Sequence, residues 1–430
     1  MARLSDLATL STAVSTVRRR LIPFLFLLYI FAYLDRINVG FASLQMNEAL
    51  GFSAATYGFA SGIFFLGYVA FEIPSNIILA RVGARLWIAR IMITWGLVSA
   101  ATSLVRSAGM FSALRLLLGV AEAGFFPGVI FYLTQWVPAG ERARTIAAFM
   151  TATLSAGIIG GPVSGALLSL DGVAGLAGWQ WLFLLEGVPA VVLGVVVLKV
   201  LTERPEEADW LPTRQREALI ARLREERAAQ VSHTHTSRAA LVNGRLWLLS
   251  AVYFTIPVAL YALGFFLPQI IQTSYRGSDF AIGLLSAIPY IAGVIAMLIA
   301  GRHSDRTGER RWHVAVAALV AGAGFIAAAC VKGIAPSMVM LSIATAGLAS
   351  MFGPFWTLAT SFVSGTGAAA GIALINSVGN IGGFVGPYLL GSIKDRTESF
   401  GTGLILIGAT VIVGGMLVLL VPDARKAVRP

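Results

Sequence analysis

Tyr33-Leu34-Asp35-Arg36-Ile37-Asn38 places a carboxylate, a guanidinium and a carboxamide inside a long apolar run, Leu21 to Leu44. A second apolar run, 110–134, carries Arg115 and Glu122. A charge at the centre of a bilayer costs from ~2.5 to more than 10 kcal/mol, so residues of this kind mark function by default. Arg115 and Glu122 are seven residues apart, which on a helix puts them on one face about two turns apart. Two guanidiniums suit a carboxylate or dicarboxylate, because each offers a planar fork of paired donors. Asp35 and Glu122 suit proton carriage, since burial and neighbouring arginines push their protonation in opposite directions. Protonating both would free Arg36 and Arg115 for an anion, and deprotonation would restore the internal pairs and expel it. The competing reading is a permanent network that clamps two helices together.

These residues need helices to hold them at depth. The 430-residue chain is 57% hydrophobic and 12% charged, with a mean hydropathy of +0.80. Apolar stretches at roughly 21–44, 55–79, 86–105, 110–134, 145–169, 180–201, 246–271, 281–300, 313–331, 337–360, 368–391 and 402–421 predict an all-α polytopic membrane protein of twelve spans. The longest polar interruption, Thr202 to Arg245, divides them six and six. The predicted organisation is a first bundle over 1–201, a linker over 202–245 with a short surface helix at Leu211 to Ala229, and a second bundle with a tail over 246–430. His233 and His235 sit in a Ser/Thr-rich stretch of that linker, with no further metal ligand near in sequence.

A net charge of +11 could suggest a nucleic-acid binder. The placement argues otherwise. With the N-terminus in the cytoplasm, most of the 32 Lys and Arg fall in cytoplasmic segments, among them Arg18, Arg19, Arg20, Arg81, Arg85, Arg214, Arg302, Arg306 and Arg310. The opposite loops carry Arg106, Arg276, Lys332, Lys394 and Arg396. This asymmetry orients a membrane protein, with both termini cytoplasmic. Cys330 is the single cysteine, so no internal disulfide forms. The first run is too long and too charged for a cleaved leader and reads as a retained span.

The two halves repeat. Asn76 to Arg85 aligns with Gly301 to Arg310, and Gly157-x-x-x-Gly161-Pro162 aligns with Gly382-x-x-x-Gly386-Pro387, each pair 225 residues apart. Two unrelated features at one offset indicate a duplicated six-helix unit. Gly301 to Arg310 also resembles the loop signature of the major facilitator superfamily, Gly-x-x-x-Asp-Arg-x-Gly-Arg-Arg, with Glu309 at the ninth place. More narrowly, Tyr33-Leu34-Asp35-Arg36-x-Asn38, Phe71-Glu72-Ile73-Pro74-Ser75-Asn76, Arg115-x-x-x-Gly119-x-x-Glu122-Ala123, Trp179-x-Trp181-x-Phe183-x-x-Glu186-Gly187 and Gly353-Pro354-Phe355-Trp356 resemble the anion:cation symporter family. Within it they look closest to tartrate, phthalate and hydroxyphenylacetate permeases. Gln180 stands where that family often has Arg. The resemblance implies two pseudo-symmetric six-helix bundles around a cavity, and uptake of an organic anion driven by protons, in the cell inner membrane.

At the 225-residue offset Asp35 corresponds to Leu260, Arg36 to Tyr261, Arg115 to Met340 and Glu122 to Gly347. Proton coupling is therefore expected on the first half alone, at Asp35 and Glu122. Arg36 and Arg115 are expected roughly 8–9 Å from the outer boundary, converging on one ligand. Further expected contacts are Tyr33, Tyr68, Tyr261, Trp356, Asn376 and Asn380. For Asn376 and Asn380, one turn apart on a Gly-rich helix, the alternative is interhelical hydrogen bonding. Glu72 is expected to reach toward a cytoplasmic arginine, and Glu186 to be structural. Gly157, Gly161, Gly379 and Gly383 are expected to permit close helix approach. Gly301, Asp305, Arg306, Gly308 and Arg310 are expected to form a conformational latch.

The partners expected are a small carboxylate, protons and the bilayer, without nucleic acid, metal or cofactor, around a monomer. Exchange or uniport are alternatives within transport; a non-transporting anion sensor is a third. A membrane enzyme would need a catalytic constellation, and the sequence offers no metal cluster, paired aqueous carboxylates or Ser/His arrangement.

Overall fold

A computed structural model describes residues 2–230, 243–362 and 366–422. The helices are α1 (Ala2–Leu50), α2 (Ala54–Val82), α3 (Ala84–Thr102), α4 (Ala108–Glu122), α5 (Phe125–Trp136), α6 (Ala139–Leu168), α7 (Gly178–Val200), α8 (Thr213–Gln230), α9 (Gly244–Ser274), α10 (Asp279–Thr307), α11 (Arg311–Cys330), α12 (Ile334–Thr360), α13 (Thr366–Thr397) and α14 (Gly401–Val418). Twelve spans long and apolar enough to cross a membrane are present among the described residues, with α4 and α5 together making the fourth. A helix satisfies its own backbone hydrogen bonds, which is why apolar runs of this length take no other form in lipid. Side-chain caps start several of them: Ser53, Ser107 and Ser278 each accept from a backbone N–H one turn on.

Two features differ from the sequence-based expectation. The first helix extends from Ala2, well before Leu21, because its polar opening turns project beyond the apolar segment that hydropathy detects. The fourth span is not continuous. It breaks at Ala123-Gly124, where Gly124 takes the left-handed conformation (φ +86°) that costs glycine nothing. The carbonyl of Ala123 accepts from Ser75 Oγ at 2.6 Å, and Ser75 Oγ accepts from Trp87 Nε1 at 2.9 Å. A backbone group freed by the break is thus satisfied by a side chain of α2.

The predicted surface helix is α8, and it belongs to the first half. Trp210 stacks on Trp136 of α5 with ring centroids 5.5 Å apart. Arg20 of α1 lies 4.8 Å over the Trp210 ring. Glu226 of α8 accepts from Ala139 N at the start of α6. Glu203 does the same for Ala84 and Arg85 at the start of α3. His233 and His235 lie outside the described residues, as does the chain beyond Pro422.

The halves meet at the end of the bundle away from α8, called here the far end. A Cβ on Gly161 of α6 would stand 2.3 Å from Gly283 O of α10, so these backbones touch. Gly383 of α13 rests against the Phe65 ring of α2. Gly161 therefore serves the close helix approach that the spacing implied, whereas Gly157, Gly379 and Gly383 make room for the rings of Tyr290, Tyr253 and Phe65. Polar ties reinforce the contact. Tyr57 Oη of α2 donates to Phe265 O of α9 at 2.9 Å, Gln269 Nε2 to Ser43 Oγ at 2.8 Å, and Gln45 Nε2 to Asp279 at 2.7 Å. Asp395 of α13 accepts from both Ala54 N and Ala55 N, each at 2.9 Å, at the start of α2.

Candidate functional site

The membrane-embedded charges gather between α1, α2, α3, α4 and α9. Arg36 of α1 makes a very short ion pair with Glu122, the last residue of α4. Its other terminal nitrogen points across the interface to Tyr261 Oη of α9 at 3.4 Å. The Arg36 side chain is 13% exposed, and that of Glu122 3%. The guanidinium carbon lies 5.3 Å from the centroids of both Phe64 and Tyr68 on α2. One guanidinium is thereby held by an acid of one half, a phenol of the other and two aromatic faces.

Asp35 faces away from Arg36, toward α3. It accepts a very short hydrogen bond from Ser99 and a long one, 3.4 Å, from Asn38 Nδ2. Its second oxygen has no hydrogen-bond partner among the described residues. Adjacent residues on a helix point about 100° apart, so the Asp35-Arg36 doublet is no internal pair.

Arg115 is placed differently from the expectation that both arginines converge on one ligand. It is completely buried, and all three guanidinium nitrogens lack a hydrogen-bond partner among the described residues. Its carbon lies 5.1 Å from the centroid of the Phe64 ring, the same ring that Arg36 approaches. Phe64 is therefore a contact shared by both cations, and only Arg36 has exposed surface.

Glu72 also departs from expectation. It does not reach a loop arginine: it is buried, 9% exposed, and accepts from Asn376 Nδ2 of α13 at 3.1 Å. Its place near the cytoplasmic end of the span, two residues before Pro74, suggested an outward reach, but α13 supplies a nearer donor. Glu186 of α7 is buried against Ser164 Oγ at 3.2 Å.

The remaining residues divide into two groups. Tyr68 and Tyr261 are both buried beside Arg36. Tyr33 packs with Leu34, Ile37 and Ala156 in a small apolar cluster of its own. Trp356 lies edge-on to Tyr253 at 4.9 Å, and Asn380 is half-buried one turn from Asn376. The loop residues form a separate assembly at the α8 end. Asp305 pairs with Arg310 Nη1 at 2.8 Å, Gly308 ends α10 in the left-handed conformation, and Arg306 is exposed. Gly301 lies within α10 with open space where a Cβ would be. Glu309 accepts from the backbone N–H of Trp312 and His313 and from the His313 ring. Partial burial pushes its carboxyl up, but these three donors outweigh it and hold the group below the usual carboxylate range.

Sequence reasoning did not single out Phe64, Ser99 or the Glu72–Asn376 contact. Ser99 left a signal, as a hydroxyl within an apolar run, but hydroxyls commonly bond their own helix.

The sequence profile described as "Major Facilitator Superfamily" matches residues 25–387. The chain is 48% identical over 410 residues to a protein of Agrobacterium vitis named "Putative tartrate transporter", covering 95% of this chain and 91% of that one. It is 45% identical over 411 residues to "Putative metabolite transport protein NicT" of Pseudomonas putida, covering 95% and 94%. Among solved structures, a bacterial homologue of the human lysosomal transporter Spinster, in an inward-facing conformation, superposes with a TM-score of 0.77 at 17% identity, covering 95% of this chain and 97% of that one.

Proposed function

The chain belongs to the Major Facilitator Superfamily, and on that premise we propose that it takes up a small organic anion together with protons, by alternating access. The observation that carries this reading is Arg36. It is a partly exposed guanidinium in the membrane interior, joined to an acid in one half and a hydroxyl in the other. Protonation of Glu122 removes the negative partner and leaves the fork of Arg36 free for a carboxylate. Deprotonation returns Glu122 to Arg36, and the anion loses its site. Asp35 and Arg115 form the second acid and base of the scheme, each with unsatisfied buried atoms that a rearrangement could pair.

The substrate class is a tartrate-like hydroxy acid, a sugar acid or an aromatic carboxylate. The name of the Agrobacterium relative and the neutral polar and aromatic second-half residues Tyr261, Asn376 and Trp356 support it. The basic loops on the α8 side support an inner-membrane orientation with both termini cytoplasmic. The test is uptake into proteoliposomes of L-tartrate, D-gluconate and 4-hydroxyphenylacetate under an inside-alkaline pH gradient. Accumulation above equilibrium supports proton symport. Counterflow without accumulation assigns the protein to exchange or uniport instead.

A further inference from the structure

Glu72 is a carboxylate the scheme above does not use. It lies one helical turn from Tyr68, which touches Arg36, so it faces the same interface about 6 Å further along α2. Its Oε1 accepts from Asn376 Nδ2 across the two halves. Its Oε2 accepts no hydrogen bond among the described residues. Asn376 is in turn one of the few amide donors that the second half offers to an anion, and in this structure one of its two N–H bonds is given to an acid of the protein itself. A ligand carboxylate and the Glu72 carboxylate are chemically alike, each an ionisable pair of acceptor oxygens.

We propose that Glu72 competes with the substrate anion for the Asn376 amide, and so sets how tightly the transporter holds its cargo. The inference rests on the anion-binding reading given above. When the anion reaches from Arg36 toward α13, it displaces Glu72 from Asn376, and the tie between α2 and α13 opens. The two halves are thereby uncoupled at this point by binding itself. A residue that lines a binding site normally weakens binding when removed. Glu72 should do the reverse.

The experiment is equilibrium binding of L-tartrate, D-gluconate and 4-hydroxyphenylacetate to the purified full-length protein in lipid nanodiscs, by calorimetry. Glu72→Ala is expected to tighten binding of the best probe about 2- to 10-fold, the scale of one net hydrogen bond. Glu72→Gln removes the same charge but keeps an oxygen that accepts from Asn376, so its gain should be smaller. Asn376→Ala should weaken binding, and in its background the two Glu72 variants should become equal, as a double-mutant cycle requires. Should Glu72→Ala fail to fold, Glu72→Asp retains the charge while falling short of Asn376, and it too should bind more tightly. Equal gains in Glu72→Ala and Glu72→Gln with Asn376 intact would reduce the effect to bulk charge and overturn competition. Weaker binding in Glu72→Ala or Glu72→Asp would make Glu72 a ligand or a strap and overturn it as well. If the wild-type protein binds none of the three probes, the anion-binding reading fails and the competition falls with it.

Discussion

Arg36 and Tyr261 occupy equivalent places in the two halves, 225 residues apart, and in the folded protein they touch each other. Duplication would place two like side chains across a pseudo-twofold axis. Here one side is a permanent cation and the other a neutral phenol. Two guanidiniums at this distance would repel in a medium that screens poorly, whereas cation and hydroxyl attract. The same asymmetry runs through the set, with Leu260, Met340 and Gly347 opposite the acids and the second arginine. A symmetric frame thus carries an asymmetric charge site, which the neutral half meets through Tyr261 and Asn376.

The comparison can be broken most severely at Arg36. Arg36→Ala should weaken carboxylate binding by on the order of 100-fold or more and abolish uptake in proteoliposomes, since it also leaves Glu122 buried without its partner. Glu122→Gln should sharpen the division of roles. It is expected to retain counterflow of the anion but lose accumulation driven by a pH gradient, read in the same vesicles. Unchanged pH dependence in both Glu122→Gln and Asp35→Asn would refute the proton assignment. The smallest effect is expected at the charged loop between α10 and α11. Glu309→Ala removes acceptors from the first turn of α11 and should cost about 1 kcal/mol of stability. Because its folded carboxyl lies below the ordinary value, that contribution is present above the unfolded value and is lost as pH falls through the folded one. The melting temperatures of wild type and variant should therefore converge in acid.

Hydropathy revealed the spans because lipid leaves the backbone one common solution, and the repeat revealed the pairing of halves because two motifs kept one spacing. The buried charges were legible for the same reason: nothing cheap explains an Asp-Arg doublet in an apolar run. What stayed hidden depends on three dimensions. No local pattern says that Asp35 turns to Ser99 while Arg36 turns to Glu122, or that Arg115 is covered while Arg36 is not. The break at Ala123-Gly124 directly follows Glu122 in an otherwise largely apolar run, where Gly124 reads as a packing residue. Pro127, three positions into α5, was the available sign of a new helix start. The Glu72–Asn376 contact joins residues 304 apart, beyond any periodicity.

The attachment of α8 has a mechanical consequence. Trp210 on Trp136 and Arg20 over Trp210 hold the segment just before this helix to one half, and Glu226 on the start of α6 and Gln215 beside Thr16 of α1 hold the helix itself. A load applied to α8 would therefore pass to the first bundle. The helix is thus a handle on the half that bears the charges.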